Sequence, residues 1–460
     1  MPENKYSLTA IVLILLMAVS VLNPYTAGDV LLFLIIAFIV LYKMFGDYTI
    51  LLLLALRPTI DYWRDYVLFN YENYHFNINA ALSVLLLIWS VYFLIQHRDY
   101  FIRLPYRWAW IIFIIWCGSS AVYSYDLAST ITETIKAANL FSLFAVAYIL
   151  YLRDGHRFTR WFKIALIGGA VPVFAIAIWQ FFTQSGMSID GYTNRIYGTF
   201  AHPNILATYA LLLFMFWFNE ALIKKTKFWQ EEKWLSYLTA GFLIAMIFLT
   251  YTRIAWIGLA VFLVCAGWVY YRRAVLYIVI GIALFYALFY PVNSFLISNA
   301  DINLQNISLI SRLTSRNQEA DSISWRADIF NKVLPLFYRH PFIGYGYGSF
   351  AKVWDDNKGV ENIWDNTSEA HNDYLKVGFE GGVIGLTLFM IIFLRMIWQQ
   401  VKFGRKHGWK NLAFLTMIFV YLILSLSDNM LHHTPMIWWL WAVWGYLEAE
   451  NEEHRLARLD

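Results

Sequence analysis

The sequence predicts an all-α polytopic membrane protein, and three observations carry that prediction. Hydrophobic residues fill 60% of the 460 positions and charged ones only 14%, too little polar surface to coat a water-soluble globule. The apolar residues are gathered into successive runs near the ~20 residues that a helix needs to cross a bilayer. The breaks between runs alternate in character, with basic clusters on every second break, the charge pattern of a chain that crosses back and forth. A net charge of +4, spread in small clusters, is too weak for nucleic-acid binding.

Taken in order, the candidate spans are 8–22, 30–45, 48–57, 79–96, 107–123, 131–152, 161–182, 203–223, 234–251, 253–271, 274–290, 373–398, 411–427 and 434–447. The second and third are short enough to form a re-entrant or tilted pair, so the total is twelve to fourteen. The first follows Lys5 without a small-residue cleavage site and reads as an anchor. Lys43, the group Arg98, Arg103 and Arg107, the group Arg153 to Lys163, the lysines 224–233, the pair Arg272 and Arg273, and the group Lys402 to Lys410 mark the cytoplasmic breaks. The other breaks, 23–29, 58–78, 124–130, 183–202, 291–372 and 428–433, are then external, and both termini lie inside. Residues 1–290 form the first spans, 291–372 one large external loop, and 373–460 the last spans with a cytoplasmic tail.

Within that loop the stretch Ser298 to Ser324 is rich in Asn, Ser and Gln. From Ser324 the apolar spacing of Ile329, Val333, Leu334 and Phe337 predicts a helix that Pro341 ends. Gly344, Gly346 and Gly348 follow as a turn or a phosphate loop; no strand-to-helix unit surrounds them, which excludes a dinucleotide fold. In the first outer loop Asp61 and Asp65 could hold a divalent metal, or simply pair with Arg57 and Arg64. Arg253 opens a span at the outer boundary, where a charge either sets orientation or meets an anionic head group. His202, His432 and His433 read as interfacial side chains, Asp355 and Asp356 as a solvated turn, and Trp438, Trp439, Trp441 and Trp444 as interfacial belt and lipid-facing core. Cys117 and Cys265 sit in apolar runs, where redox chemistry is not indicated.

The stretch 365–385, DNTSEAHNDYLKVGFEGGVIG, runs polar residues with a single histidine, His371, into a glycine-punctuated apolar helix. On a regular helix Gly378, Gly382 and Gly385 fall within about 40° of His371. Such a stripe admits a second helix, or a lipid chain, close to the backbone.

His371-Asn372, nine residues, Gly382, two residues and Gly385 resemble the His-Asn-x9-Gly-x-x-Gly signature of the O-antigen ligase and polymerase superfamily of bacterial membrane glycosyltransferases. Two more stretches agree: Arg195 to Asn204, RIYGTFAHPN, and Arg326 followed by His340 to Phe350, HPFIGYGYGSF. The resemblance implies a GT-C-like arrangement in the bacterial cytoplasmic membrane. It also implies a polyprenyl diphosphate-linked glycan donor, a glycan or lipid A-core-like acceptor, and metal-independent, cofactor-free, inverting transfer. Arg253, Arg326 and Arg195 then bind the diphosphate and His371 serves the acceptor hydroxyl, with Asn372 and the three glycines as motif and packing residues. Two other readings stand beside it: a protein oligosaccharyltransferase of the same family, and a transporter or flippase for a lipid-linked or anionic solute.

Overall fold

The computed structural model describes residues 27–71, 74–189, 192–220, 233–300, 322–357, 368–409 and 411–456; the expected span at 8–22, the lysines 224–227 and the middle of the Ser298 to Ser324 stretch lie outside them. The described chain is helical: α1 Ala27–Phe45, α2 Thr49–Ile60, α3 Ile78–Gln96, α4 Arg98–Arg103, α5 Arg107–Ser119, α6 Leu127–Asp154, α7 His156–Thr183, α8 Pro203–Phe218, α9 Lys233–Leu249, α10 Arg253–Ala300, α11 Ser322–Phe337, α12 Phe350–Asn357, α13 Asp373–His407, α14 Leu412–Leu424 and α15 Thr434–Leu456. Two hairpins interrupt it, β1 Val67–Tyr71 with β2 Tyr74–Asn77 and β3 Met187–Ile189 with β4 Tyr192–Arg195. By length and composition, Leu34–Trp63, Ile78–Gln96, Leu127–Asp154, His156–Thr183 and Asp373–His407 can each cross a membrane, and shorter apolar helices such as Pro203–Phe218 and Leu412–Leu424 pack beside them.

The helices follow the apolar runs closely, with one departure. The expected reversal at Arg272 and Arg273 is absent, and α10 continues from Arg253 to Ala300. Residues 268–280 contain neither Gly nor Pro, so nothing local stops a helix there. Its 48 residues span roughly 72 Å, more than twice a bilayer core.

The middle of the bundle is built on α6 and α15. Both are buried on all sides through their centres, the pattern of a helix surrounded by helices. Trp438, Trp439, Trp441 and Trp444 are at most 2% exposed, so they are interior residues and not the interfacial belt that their composition suggested. At 100° per residue, four indoles within seven positions point all round α15 and need protein on every side. Trp441 stacks edge-on against Trp110 and Trp444, each at 4.7 Å. Gly445 makes the close approach possible, because a Cβ there would overlap the Phe144 carbonyl.

Polar contacts gather at the two ends of this bundle. One end holds Arg57 Nη2 to Thr434 Oγ1 at 2.6 Å, Thr199 Oγ1 to the Pro58 carbonyl at 2.7 Å and Tyr123 OH to the Ile343 carbonyl at 2.9 Å. The other holds Arg153 with Asp47 and Asp154, Lys163 with Glu220, and Tyr151 OH with Glu453. His371 lies at the first.

Candidate active site

The glycine motifs meet each other. α13 is broken at Gly382, where φ is +64° and ψ −169°, and the segment 341–346 docks into the break. Val383 and Ile384 donate N–H bonds to the carbonyls of Pro341 and Phe342, at 2.8 and 3.3 Å, while Tyr345 and Gly346 donate to those of Phe379 and Glu380, at 3.2 and 2.9 Å. Backbone groups freed by the kink are thus satisfied by the loop, and the loop by the kink. Gly344, Gly346 and Gly348 all take φ between +70° and +100°, and side chains there would strike Glu380, Ser124 and Ser129. This seam replaces the uniform stripe expected on a regular helix. The space beside Gly382 is filled by Phe342, that beside Gly385 by Trp116, and Gly378 is buried near Leu386, so no lipid chain lies along the three.

The seam fixes what precedes α13. Asn372 caps the helix, accepting from Leu375 N–H at 2.9 Å, and donates to the Leu426 carbonyl at 3.1 Å; its own N–H reaches Asn429 Oδ1 at 3.0 Å. His371, one residue earlier, is held in the left-handed region at φ +47°, a conformation uncommon outside glycine and typical of tightly determined sites. Its ring is a quarter exposed, and Nδ1 lies 3.8 Å from Asp428 Oδ1, an electrostatic contact longer than a hydrogen bond.

Asp428 is the centre of the arrangement. Its side chain is 3% exposed and lies 3.2 Å from His433 Nε2, while Oδ2 accepts from Asn204 Nδ2 at 3.0 Å. Burial alone would raise this carboxyl, but His433 and then His371 hold it well below the usual carboxylate range. Burial works against charge on His433 as well, and Asp428 overrides it and lifts the ring above its ordinary value. From Asn204 the network continues through Oδ1 to Thr252 Oγ1 at 3.2 Å and Arg195 Nη2 at 3.4 Å. His202 caps α8 by accepting Asn204 N–H on Nδ1; burial, then Arg195, pulls its pKa down to about 4.

The arginines divide. Arg195 is 2% exposed, and Nε donates to the Thr250 carbonyl at 2.8 Å while Nη2 faces Asn204 and Thr252, so its fork braces the walls of the site. Arg253 is half-buried and directly follows Thr252 of this network. Arg326 is half-buried on α11, whose Ile329 and Val333 share a core with Ala370, the neighbour of His371. A second charged group flanks α13: Glu369 lies 3.4 Å from His432 Nδ1 and 3.8 Å from Lys376 Nζ, and Glu133 pairs with Lys136 at 2.6 Å. In the first outer loop the buried Asp61 pairs with Arg57 at 3.2 Å, and Asp65 stays exposed beside Arg64. Asp355 and Asp356 belong to α12, and Asp355 accepts from Ser368.

Sequence reasoning missed Asp428, and with it the role of His433. The available signal was small: Asp428 is the one acidic residue between Glu380 and Glu448, in an otherwise neutral break.

Taken together, these features define a polytopic α-helical membrane protein with a histidine–carboxylate site flanked by arginines at one end of its bundle. Residues 238–390 match the family model described as O-Antigen ligase, a match that supports the resemblance to the O-antigen ligase and polymerase superfamily. The matched segment contains Arg253, Arg326, His371 and both halves of the glycine seam, whereas Arg195, Asn204, Asp428 and His433 join the site from outside it. The match supports O-antigen ligase-like glycan transfer in general, in a multi-pass protein of the inner membrane. No curated protein matches the chain.

Proposed function

We propose that the chain transfers a glycan from a polyprenyl diphosphate carrier to an acceptor hydroxyl at the outer face of the cytoplasmic membrane, as an O-antigen ligase or surface-polysaccharide polymerase. The observation that carries this reading is the approach of His371 to buried, anionic Asp428 at the end of the bundle that also presents Arg253 and Arg326. With Nδ1 turned toward Asp428, the other ring nitrogen, Nε2, is the base. It takes the acceptor proton as the hydroxyl oxygen attacks the anomeric carbon; the bond from that carbon to the diphosphate oxygen breaks, and its electron pair leaves with the diphosphate. A single direct displacement inverts the anomeric centre. Arg253 and Arg326 offset the charge that gathers on the leaving group, a task suited to planar guanidinium forks. Arg195 positions Asn204 and thereby Asp428, a supporting role in place of a direct phosphate contact. The reaction so drawn uses no metal and no nucleotide sugar.

Purified protein reconstituted with a polyprenyl diphosphate-linked glycan tests this directly. His371→Ala and His371→Gln should each lower transfer about 10²–10⁴-fold per folded molecule, with EDTA leaving the wild type unchanged. Arg253→Lys and Arg326→Lys keep the charge but lose the fork, and should lower transfer while membrane abundance stays near wild type. Near-normal transfer by His371→Ala sinks the mechanism, and EDTA-sensitive transfer redirects it to a metal. Deleting the gene separates the two activities: carrier-linked polymer accumulates if the protein is a ligase, and single repeat units appear on the acceptor if it is a polymerase.

A further inference from the structure

The far end of the bundle from His371 carries an open cavity of about 500 Å³ between α5, α13 and α15. Four arginines line it, Arg103, Arg107, Arg395 and Arg455, against one carboxylate, Glu452. Arg455 is neutralised, with Nη1 2.7 Å from Glu452 and Nη2 3.0 Å from the buried Glu448. Arg107 donates to the Leu104 carbonyl at 3.2 Å and lies over the Trp108 ring, contacts that cancel none of its charge. Arg103 and Arg395 are exposed, and neither has a carboxylate within ion-pair distance among the described residues. Among the described residues, three of the four arginines of the cavity therefore have no carboxylate partner.

Its place along the helices says where that charge sits. Arg395 comes 13 positions after the break at Gly382, roughly 20 Å along the unbroken second part of α13, so it lies toward the opposite boundary of the membrane from His371. Trp108 and Trp398, 63% and 59% exposed, stand at the same level, as indoles do at a membrane–water interface. Ile112 and Ile391 continue the lining toward the apolar zone. At that level a guanidinium reaches the headgroup region, where an anionic head can meet it.

We propose that this cavity binds one phosphate-headed membrane lipid, with its anionic head between Arg103, Arg107 and Arg395 and its chains along Ile112, Ile391 and Trp398. Cations from three helices converge on one point and an apolar wall leads away from it; a soluble phosphate would use only the first half of that design. The site is separate from the glycan-transfer site and stands without it.

Delipidated full-length protein, followed by native mass spectrometry while phosphatidylglycerol, phosphatidylcholine or inorganic phosphate is added, tests the assignment. Wild type should retain one phosphatidylglycerol per chain. The double variant Arg103→Gln/Arg395→Gln should bind it about thirty-fold more weakly, the factor expected for two basic contacts at headgroup level. Arg98→Gln/Lys406→Gln removes the same charge at that end outside the cavity and should bind as wild type, and an unchanged elution profile shows that each variant is folded. Equal weakening in both double variants, unchanged binding in the first, or equal affinity for phosphatidylcholine overturns the site. Displacement of the lipid by inorganic phosphate at equal concentration overturns the lipid and leaves a soluble anion in its place.

Discussion

Asp428 shows how one carboxylate sets the behaviour of two histidines. His433 lies closer to Asp428, which lifts its pKa, and His371 is the more exposed of the two rings. Asp428→Asn keeps an acceptor for Asn204 but removes the charge, and transfer should fall roughly 10²-fold or more while the fold survives, measured per folded molecule. The pH dependence of stability has two limbs of opposite sign. For His433 the folded pKa is raised, so its contribution is complete below the unfolded value near 6.5 and is lost as pH rises through the folded one. His202 behaves in the opposite way: it is about 4 folded, the unfolded ring binds more protons between about 4 and 6.5, and stability is lost as pH falls through that window. Protonation of Nδ1 also removes the acceptor for Asn204 N–H. Melting temperatures from pH 4 to 9 should therefore show a flatter acid limb in His202→Asn and a flatter alkaline limb in Asp428→Asn; a wild-type acid limb in His202→Asn would show that another group titrates there.

At the scale of elements, the helices were legible in the sequence because a bilayer imposes one length and one composition on every span, and the apolar runs at 79–96, 234–251 and 411–427 coincide with α3, α9 and α14 within a few residues. The depth of a residue within the bundle was not legible: lipid and protein interior are equally apolar, so the α15 tryptophans read the same facing either. The glycines were legible as a motif and misplaced as a surface, because angular bookkeeping assumes an unbroken helix and Gly382 breaks it. The partner that explains the break, Phe342, is forty residues earlier in the chain. Gly382→Ala should accordingly fail at folding, with most of the monodisperse protein lost on extraction, since a Cβ overlaps the Phe342 backbone and φ is left-handed. Gly408→Ala, also at positive φ (+72°) but with open space around it, should cost only about 1–3 kcal/mol and stay extractable. Equal yields from the two variants would show that the seam is dispensable.

The whole molecule separates its polar chemistry into two ends, one with His371, Asp428 and the glycine seam, the other with Arg153, Glu448 and the arginine cavity. The proposed reaction requires the first end to face outward, and the alternation of basic breaks in the sequence requires the same. α10 makes the question sharper, because the expected turn at Arg272 and Arg273 is absent and the charge alternation loses one crossing there. Single cysteines decide it: Asp355→Cys at the His371 end and Lys406→Cys at the other, both exposed, in a Cys265→Ser background, since Cys265 is exposed whereas Cys117 is buried. With a membrane-impermeant thiol reagent on spheroplasts, 355 should label at once and 406 only after the membrane is opened. The reverse pattern would put His371 in the cytoplasm and remove the outer-face donor from the proposed reaction. Labelling of both in sealed spheroplasts would mean that the two ends share a side, which no bundle spanning the bilayer allows.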